Sequence, residues 1–292
     1  MERPPITARK QKPVPDRQQA ALLTLLGDED PAIYQAVRDE IISQGPAARV
    51  WLQPHRLSSD PLLRRRAQEL IRHFDRQSAD DAFLAFCLRA GEDFSLEEAA
   101  WLLARTVYPD INVEAYQALL DSFAGELRER IATDVKKASH MLETISDYLF
   151  IELSFKGNER DYYDPENSYL NRVLDRRLGN PINLSLFYLL IAQRLRLPVV
   201  GIGLPGHFLC RYQSSVEEHY IDPFHQGQRL TKADCVHRIV RGNHDLSEEY
   251  LSPVSSRRLF ARICRNLHQT HLQMESMEEA TRLQRYLIAL EK

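Results

Sequence analysis

Cysteine is scarce, four residues in 292, and no two of Cys87, Cys210, Cys235 and Cys264 form a C-x-x-C pair. That spacing argues against a zinc ribbon or a dithiol redox motif. The expectation is reduced structural thiols in a cytoplasmic protein. Long apolar runs are missing too. Residues 186–192 form one of the longest, far short of the roughly 20 residues that a membrane-spanning helix needs. No apolar stretch of the secretory-signal kind stands near the N-terminus. Nor does one sign of charge dominate, with 38 Lys+Arg against 41 Asp+Glu and a net charge of -3. A nucleic-acid footprint, which shows as a strongly basic domain, is therefore not expected. What is present is an ordinary globular balance, 43% hydrophobic and 27% charged. The length suits about two domains.

Residues 1–16 carry four prolines with Arg3, Arg9, Lys10 and Lys12. Such a segment buries too little apolar surface to order itself and reads as a disordered tail. Residues 17–91 are helical in pattern. Asp30-Pro31 and Ser59-Asp60-Pro61 mark helix starts. Ile33, Ala36, Val37, Ile41 and Ile42, and later Leu62, Leu63, Ala67, Leu70 and Ile71, recur at helical spacing. The two starts hint at HEAT-like helical hairpins. Arg64, Arg65 and Arg66 read as a solvated helix face. Ser95 with Glu98 forms a capping box before the stripe Leu96, Ala99, Leu102 and Leu103. Further helices follow over residues 113–127 and 138–150.

The character changes at Phe155. Residues 155–170 are dense in turn formers and aromatics, which suits an ordered loop, and a short helix follows over residues 170–177. Pro181 then opens a helix that is apolar nearly all round to residue 195. Residues 198–204, 207–212 and 218–221 read as strands. Thr231 with Asp234 caps another helix, and a helical hairpin occupies residues 255–273 and 277–290. The expected fold is α+β: a buried helix with a small antiparallel sheet over residues 92–250, a helical region before it and a helical hairpin over residues 251–292 after it.

His207 opens one strand and Asp222 ends the next. A turn centred near Ser214-Ser215 sets them opposite each other on one face. A carboxylate beside an imidazole fixes its tautomer and stabilises its cation. A nucleophile belongs at the start of the buried helix, where free N–H groups and the dipole lower a thiol pKa. Asn180, Pro181, Ile182, Asn183 and Ser185 are there, and none is a thiol. Ser185 needs His207 as its base, and helix serines are more often structural. Cys210 is an odd offset from His207, so it faces the other way and reads as a core cysteine. Asn158, Tyr162, Asn167 and Asn171 either line the cleft or hold the loop.

Several stretches together resemble the signature of the SirB-type transglutaminase-like family. They are Phe155-Lys156-Gly157-Asn158, residues 162–170, Asn171-Arg172-Val173-Leu174, Arg177, Gly179-Asn180-Pro181-Ile182, and Gly203 with Pro205-Gly206-His207-Phe208-Leu209. The likeness runs from about residue 95 to 222, and more weakly through the C-terminal hairpin. It implies a papain-like core related to transglutaminases, with tetratricopeptide-like helices behind it. In true transglutaminases a Cys-His-Asp triad performs acyl transfer from glutamine amides. His207 and Asp222 match the His and Asp. The Cys position falls near Pro181 or Ile182, a departure that the SirB-type pattern shares. Loss of a triad nucleophile removes most of the covalent rate enhancement. The resulting expectation is a non-catalytic module that binds a protein or peptide, without cofactor or metal, its cleft including Asn180 and Asn183. The alternative is an amide hydrolase or acyltransferase using His207, Asp222 and either Ser185 or water. A third possibility is a structural adaptor in which the site is a relic.

Overall fold

The computed structural model describes residues 15–134, 137–242, 245 and 247–292. The chain divides into two units, residues 1–80 and 81–292. The tail expected over residues 1–16 lies outside the described residues except for its last two, and a helix begins at Asp16.

The first unit contains α1 (Asp16–Leu26), α2 (Pro31–Ser43), the short α3 (Ala48–Leu52) and most of α4 (Pro61–Arg89), within which the division falls. Both Asp-Pro starts act as expected. Asp30 accepts the Ala32 N–H at 2.8 Å, and Asp60 accepts the Leu62 N–H at 2.8 Å. Each side chain thereby satisfies a donor that the first helical turn leaves free. Leu22, Leu26, Val37, Ile41, Leu52, Leu70, Ile71 and Phe74 form this unit's core. The arginine run at residues 64–66 is not one solvated face. Successive helix residues point about 100° apart, and Arg66 turns inward to 5% exposure. It donates to the carbonyls of Leu26 and Asp28 and lies over the Tyr34 ring.

The second unit begins with α5 (Leu96–Arg105), α6 (Val113–Asp134) and α7 (Ala138–Ser146), which runs into a π-helical turn over Asp147–Glu152. Ser95 accepts the Glu98 N–H at 3.2 Å, fixing the start of α5. The loop after Phe155 is ordered by two very short strands. β1 (Lys156–Gly157) and β2 (Leu178–Gly179) pair in parallel, and a 3-10 turn (Pro165–Ser168) and α8 (Leu170–Arg176) lie between them in the chain.

The helix α9 (Pro181–Arg194) is the centre of this unit. Asn180 caps it by accepting the Asn183 N–H at 3.0 Å. Every residue from Pro181 to Ala192 is buried. Each fully buried Leu or Phe side chain contributes about 1.5–3 kcal/mol relative to leaving it in water. On one side Phe187 packs on Phe155 at 4.4 Å between ring centroids, and on Phe123 at 6.3 Å. On another side the Cys210 thiol donates to the Ser185 carbonyl, so the helix lies against the sheet.

That sheet has four antiparallel strands in sequence order: β3 (Val199–Leu204), β4 (His207–Gln213), β5 (Glu218–Asp222) and β6 (Gln228–Leu230). The sequence pattern indicates the first three. β6 is short and polar, with Gln228 and Arg229 exposed, so it carries no apolar alternation to read. The β4–β5 register also corrects the expectation. Cys210 pairs with Ile221 and Gln213 with Glu218, two residues away from the register that sets His207 opposite Asp222. The turn is the four-residue Ser214–Glu217, in which the Ser214 hydroxyl accepts the N–H groups of Val216 and Glu217. A shift of two preserves the face of every side chain, because strand periodicity is two.

Phe208, Cys210, Tyr212 and Ile221 face the α9 core. Ile202, Leu204, Leu209, Tyr220 and Leu230 face the opposite way, onto Cys235 and Ile239 of α10 (Lys232–Arg241). Thr231 and Asp234 close a reciprocal capping box at the start of α10. Two antiparallel neighbours, α11 (Ser256–Gln273) and α12 (Met277–Leu290), complete the chain. The fold is therefore α+β, with a buried helix on a small antiparallel sheet and a C-terminal helical pair. Among the described residues no helix is long and apolar enough to cross a membrane.

Candidate functional site

The site forms where β4 begins and β5 ends. Pro205-Gly206 makes the turn into β4, and Gly206 has φ +69°, a conformation that a side chain disfavours. Arg262 of α11 fixes this turn from outside, donating to the carbonyls of Leu204 at 2.7 Å and His207 at 2.9 Å. His207 then projects from the α10 face of the sheet. Its Nε2 lies 2.9 Å from both Asp222 carboxylate oxygens. Its Nδ1 makes no hydrogen bond among the described residues.

Asp222 is fully buried and serves three cationic or protonatable partners. Besides His207, the Nδ1 of His225 lies 2.8 Å from Oδ2, and Arg238 of α10 donates to the same oxygen at 2.6 Å. Asp222 also caps the 3-10 turn Pro223–His225 that carries His225. Burial by itself would raise the Asp222 pKa. The hydrogen bonds and charge of His207, with the hydrogen bonds of Arg238 and His225, outweigh it and hold the carboxyl well below the usual range. A buried anion without such partners would be costly.

Aromatic packing sets the orientation of the imidazole. Phe224 meets the His207 ring edge to face at 6.1 Å, and Tyr162 meets Phe224 at the same distance. The Phe224 ring lies directly over Gly157, where an added Cβ would sit 2.6 Å from a ring carbon. Glycine at position 157 is thus what admits the ring that backs His207. Beside Phe224 and His225 opens a cavity of about 650 Å³, lined also by Lys156, Asn158, Arg160 and Arg176.

The other residues singled out by sequence fall in two groups. The asparagines mainly hold the loop. Asn158 donates to Asn167 at 2.9 Å, and Asn167 donates to the carbonyls of Asp161 and Tyr162. Asn180 donates to the Ser168 hydroxyl and accepts from Asn183. Asn171 is buried beside them with no partner for its Oδ1. Of these amides only Asn158 lines the cavity, while Tyr162 is partly exposed next to Phe224. The candidate nucleophile stands apart. Ser185 is fully buried and donates to the Phe208 carbonyl at 3.3 Å. Cys210 is also fully buried, and desolvation pushes its thiol pKa up. No Ser, Thr or Cys side chain hydrogen-bonds to His207 among the described residues.

An imidazole oriented by a carboxylate, with its second nitrogen free, can take a proton from a bound hydroxyl or water. It can also serve simply as a hydrogen-bonding anchor. Sequence reasoning missed His225, Arg238 and Arg262. The signal for His225 was present, since Asp222-Pro223 repeats the Asp-Pro helix start seen at residues 30 and 60. Arg262 reaches His207 across 55 residues of chain, and no local pattern marks it.

Comparison with known proteins places the chain among relatives. A profile of the transglutaminase-like superfamily matches residues 114–265. A UPF0162 protein of Xylella fastidiosa is 34% identical over 198 residues, which are 65% of this chain and 70% of that protein. A UPF0162 protein of Pseudomonas aeruginosa is 30% identical over 192 residues, 63% of this chain and 67% of its own. Mouse F-box only protein 21 is 35% identical over 152 residues, 49% of this chain and 23% of that protein. No solved structure matches.

Proposed function

The chain belongs to the transglutaminase-like superfamily, and from that premise we propose that it is a member without the nucleophilic cysteine, acting as a protein- or peptide-binding module. The observation that carries this reading is the surrounding of His207. Among the described residues its free Nδ1 meets no protein nucleophile, Ser185 is committed to a backbone carbonyl, and all four cysteines are buried. A triad without its nucleophile keeps an oriented His–Asp pair but loses the covalent route. The cavity beside Phe224 and His225 is the binding cleft, with the exposed Lys156 and Arg160 at its margin. The finer likeness to SirB-type members rests on the residues around Asn180-Pro181 and Gly206-His207. On this reading the helices over residues 17–91 and the pair α11–α12 are HEAT-like and tetratricopeptide-like flanks for a partner. Four free thiols suit a reducing compartment such as the cytoplasm.

One observation favours a second reading. The His207–Asp222 pair leaves Nδ1 free for a water, the arrangement that general-base hydrolysis of an amide requires. A library of glutamine-containing peptides, read for products by mass spectrometry and for binding in the same samples, separates the two. The binding reading expects saturable capture of a subset of peptides, weakened by Arg160→Glu, with no product above that of His207→Ala. Turnover that His207→Ala abolishes would transfer the assignment to hydrolysis.

A further inference from the structure

We propose that His207, Asp222 and His225 form a binding site for a transition-metal dication of the zinc type. Nε2 of His207, Nδ1 of His225 and an Asp222 carboxylate oxygen lie within 4.8 Å of one another. Two imidazole nitrogens and one carboxylate oxygen are a donor set that suits Zn²⁺, Co²⁺ or Fe²⁺, whereas Ca²⁺ and Mg²⁺ favour all-oxygen cages.

The spacing fits. Ligand atoms each about 2.1 Å from a metal stand about 3.0 Å apart at a right angle and about 3.4 Å apart at a tetrahedral angle. The two imidazole-to-carboxylate separations are 2.9 Å and 2.8 Å. The two imidazole nitrogens lie within 4.8 Å of each other, so side-chain rotation that draws them together around the carboxylate oxygen admits the ion. The ligands also come from rigid pieces of backbone: the first residue of β4, the last of β5 and the end of the 3-10 turn that follows it. Outer contacts steady the carboxylate and the ring faces, as outer hydrogen bonds orient ligands in built metal sites. Arg238 holds Oδ2, the His225 backbone N–H donates to Oδ1, and Phe224 packs against both imidazoles.

Access completes the case. Asp222 is sealed from solvent, but the His225 side chain is 45% exposed and borders the cavity described above. A three-ligand site with one open side leaves a coordination position for water or a ligand atom. The inference does not depend on whether the cleft takes a peptide, and the ion alone tests it.

The test is a titration of the metal-free full chain with Co²⁺, read by visible d–d absorption and followed by displacement with Zn²⁺. The expected result is saturation at one ion per chain and loss of the band on adding Zn²⁺. His225→Ala should weaken binding at least about tenfold, since loss of even an outer partner costs that much. The exposed His237 is the control, and His237→Ala should leave the titration unchanged. Circular dichroism confirms the fold of each variant, and His207→Gln provides a second ligand change should His225→Ala fail to fold. The proposal is overturned by the absence of a saturable band, or by a band whose affinity is the same in a folded ligand variant as in the unaltered chain.

Discussion

His207 is held by more than its carboxylate. Arg262 grips its carbonyl, Phe224 backs its ring, and Gly157 makes room for that ring. The chain therefore specifies an imidazole orientation through residues that carry no chemistry themselves. Gly157→Ala tests this directly. The added methyl meets a packed aromatic ring, so the variant should be about 1–3 kcal/mol less stable in urea unfolding. It should also shift the His207 ring resonances in NMR spectra, which a remote loop change would not do. At this scale the sequence was half legible. Parity along two strands was enough to bring His207 and Asp222 to one face, even though the true register lies two residues away. Arg238 escaped because its approach to Asp222 depends on where α10 packs, which periodicity does not encode, whereas His225 escaped although Asp222-Pro223 marks the turn that carries it.

Among the elements, α9 was the easiest to read and carries the largest share of burial. An apolar run behind an Asn-Pro start is a helix that must be enclosed, and its residues from Pro181 to Ala192 are. Phe187 is the clearest single contributor, packed between Phe155 and Phe123. Phe187→Ala should cost about 3–5 kcal/mol, measured by denaturant unfolding. The loop from β1 to α8 was read as ordered, with its asparagines as candidates to hold it, but its charged contacts were not visible in sequence. Besides the asparagine network, Glu166 accepts from Tyr108 at 3.1 Å and from Arg172 at 2.8 Å, and pairs with Arg176 at 2.9 Å. Partial burial alone would raise the Glu166 pKa. The hydrogen bonds of Arg172 and Tyr108 and the charges of Arg172 and Arg176 outweigh it and lower it. A carboxyl with a depressed folded-state pKa stabilises the fold above its unfolded value, about 4.3, and that contribution fades as pH falls through the folded value. The stability gap between the unaltered chain and Glu166→Gln should therefore be constant near neutrality and shrink below about pH 4, as read from urea midpoints. A gap that widened in acid would contradict the assigned role of Glu166.

The whole molecule joins a small all-helical unit to a larger α+β unit, each with its own buried cluster. Composition and periodicity carried the α+β class, because an apolar helix followed by alternating strands has few other solutions. They did not carry β6 or the continuation of α4 beyond Ile71, whose residues give weak or mixed signals. What distinguishes the molecule chemically is an oriented His–Asp pair in a fold where every cysteine is buried. Burial pushes Cys235 up to about 11 and Cys87 up to about 12, and full burial drives Cys210 and Cys264 higher. None of the four is poised as a thiolate at ordinary pH. The most direct measurement is the intact mass of the folded chain after exposure to iodoacetamide and, separately, to a serine-directed fluorophosphonate. The account predicts no rapid stoichiometric adduct with either reagent. A single fast adduct whose rate collapses in His207→Ala would show a nucleophile activated by that imidazole, and would contradict the central claim.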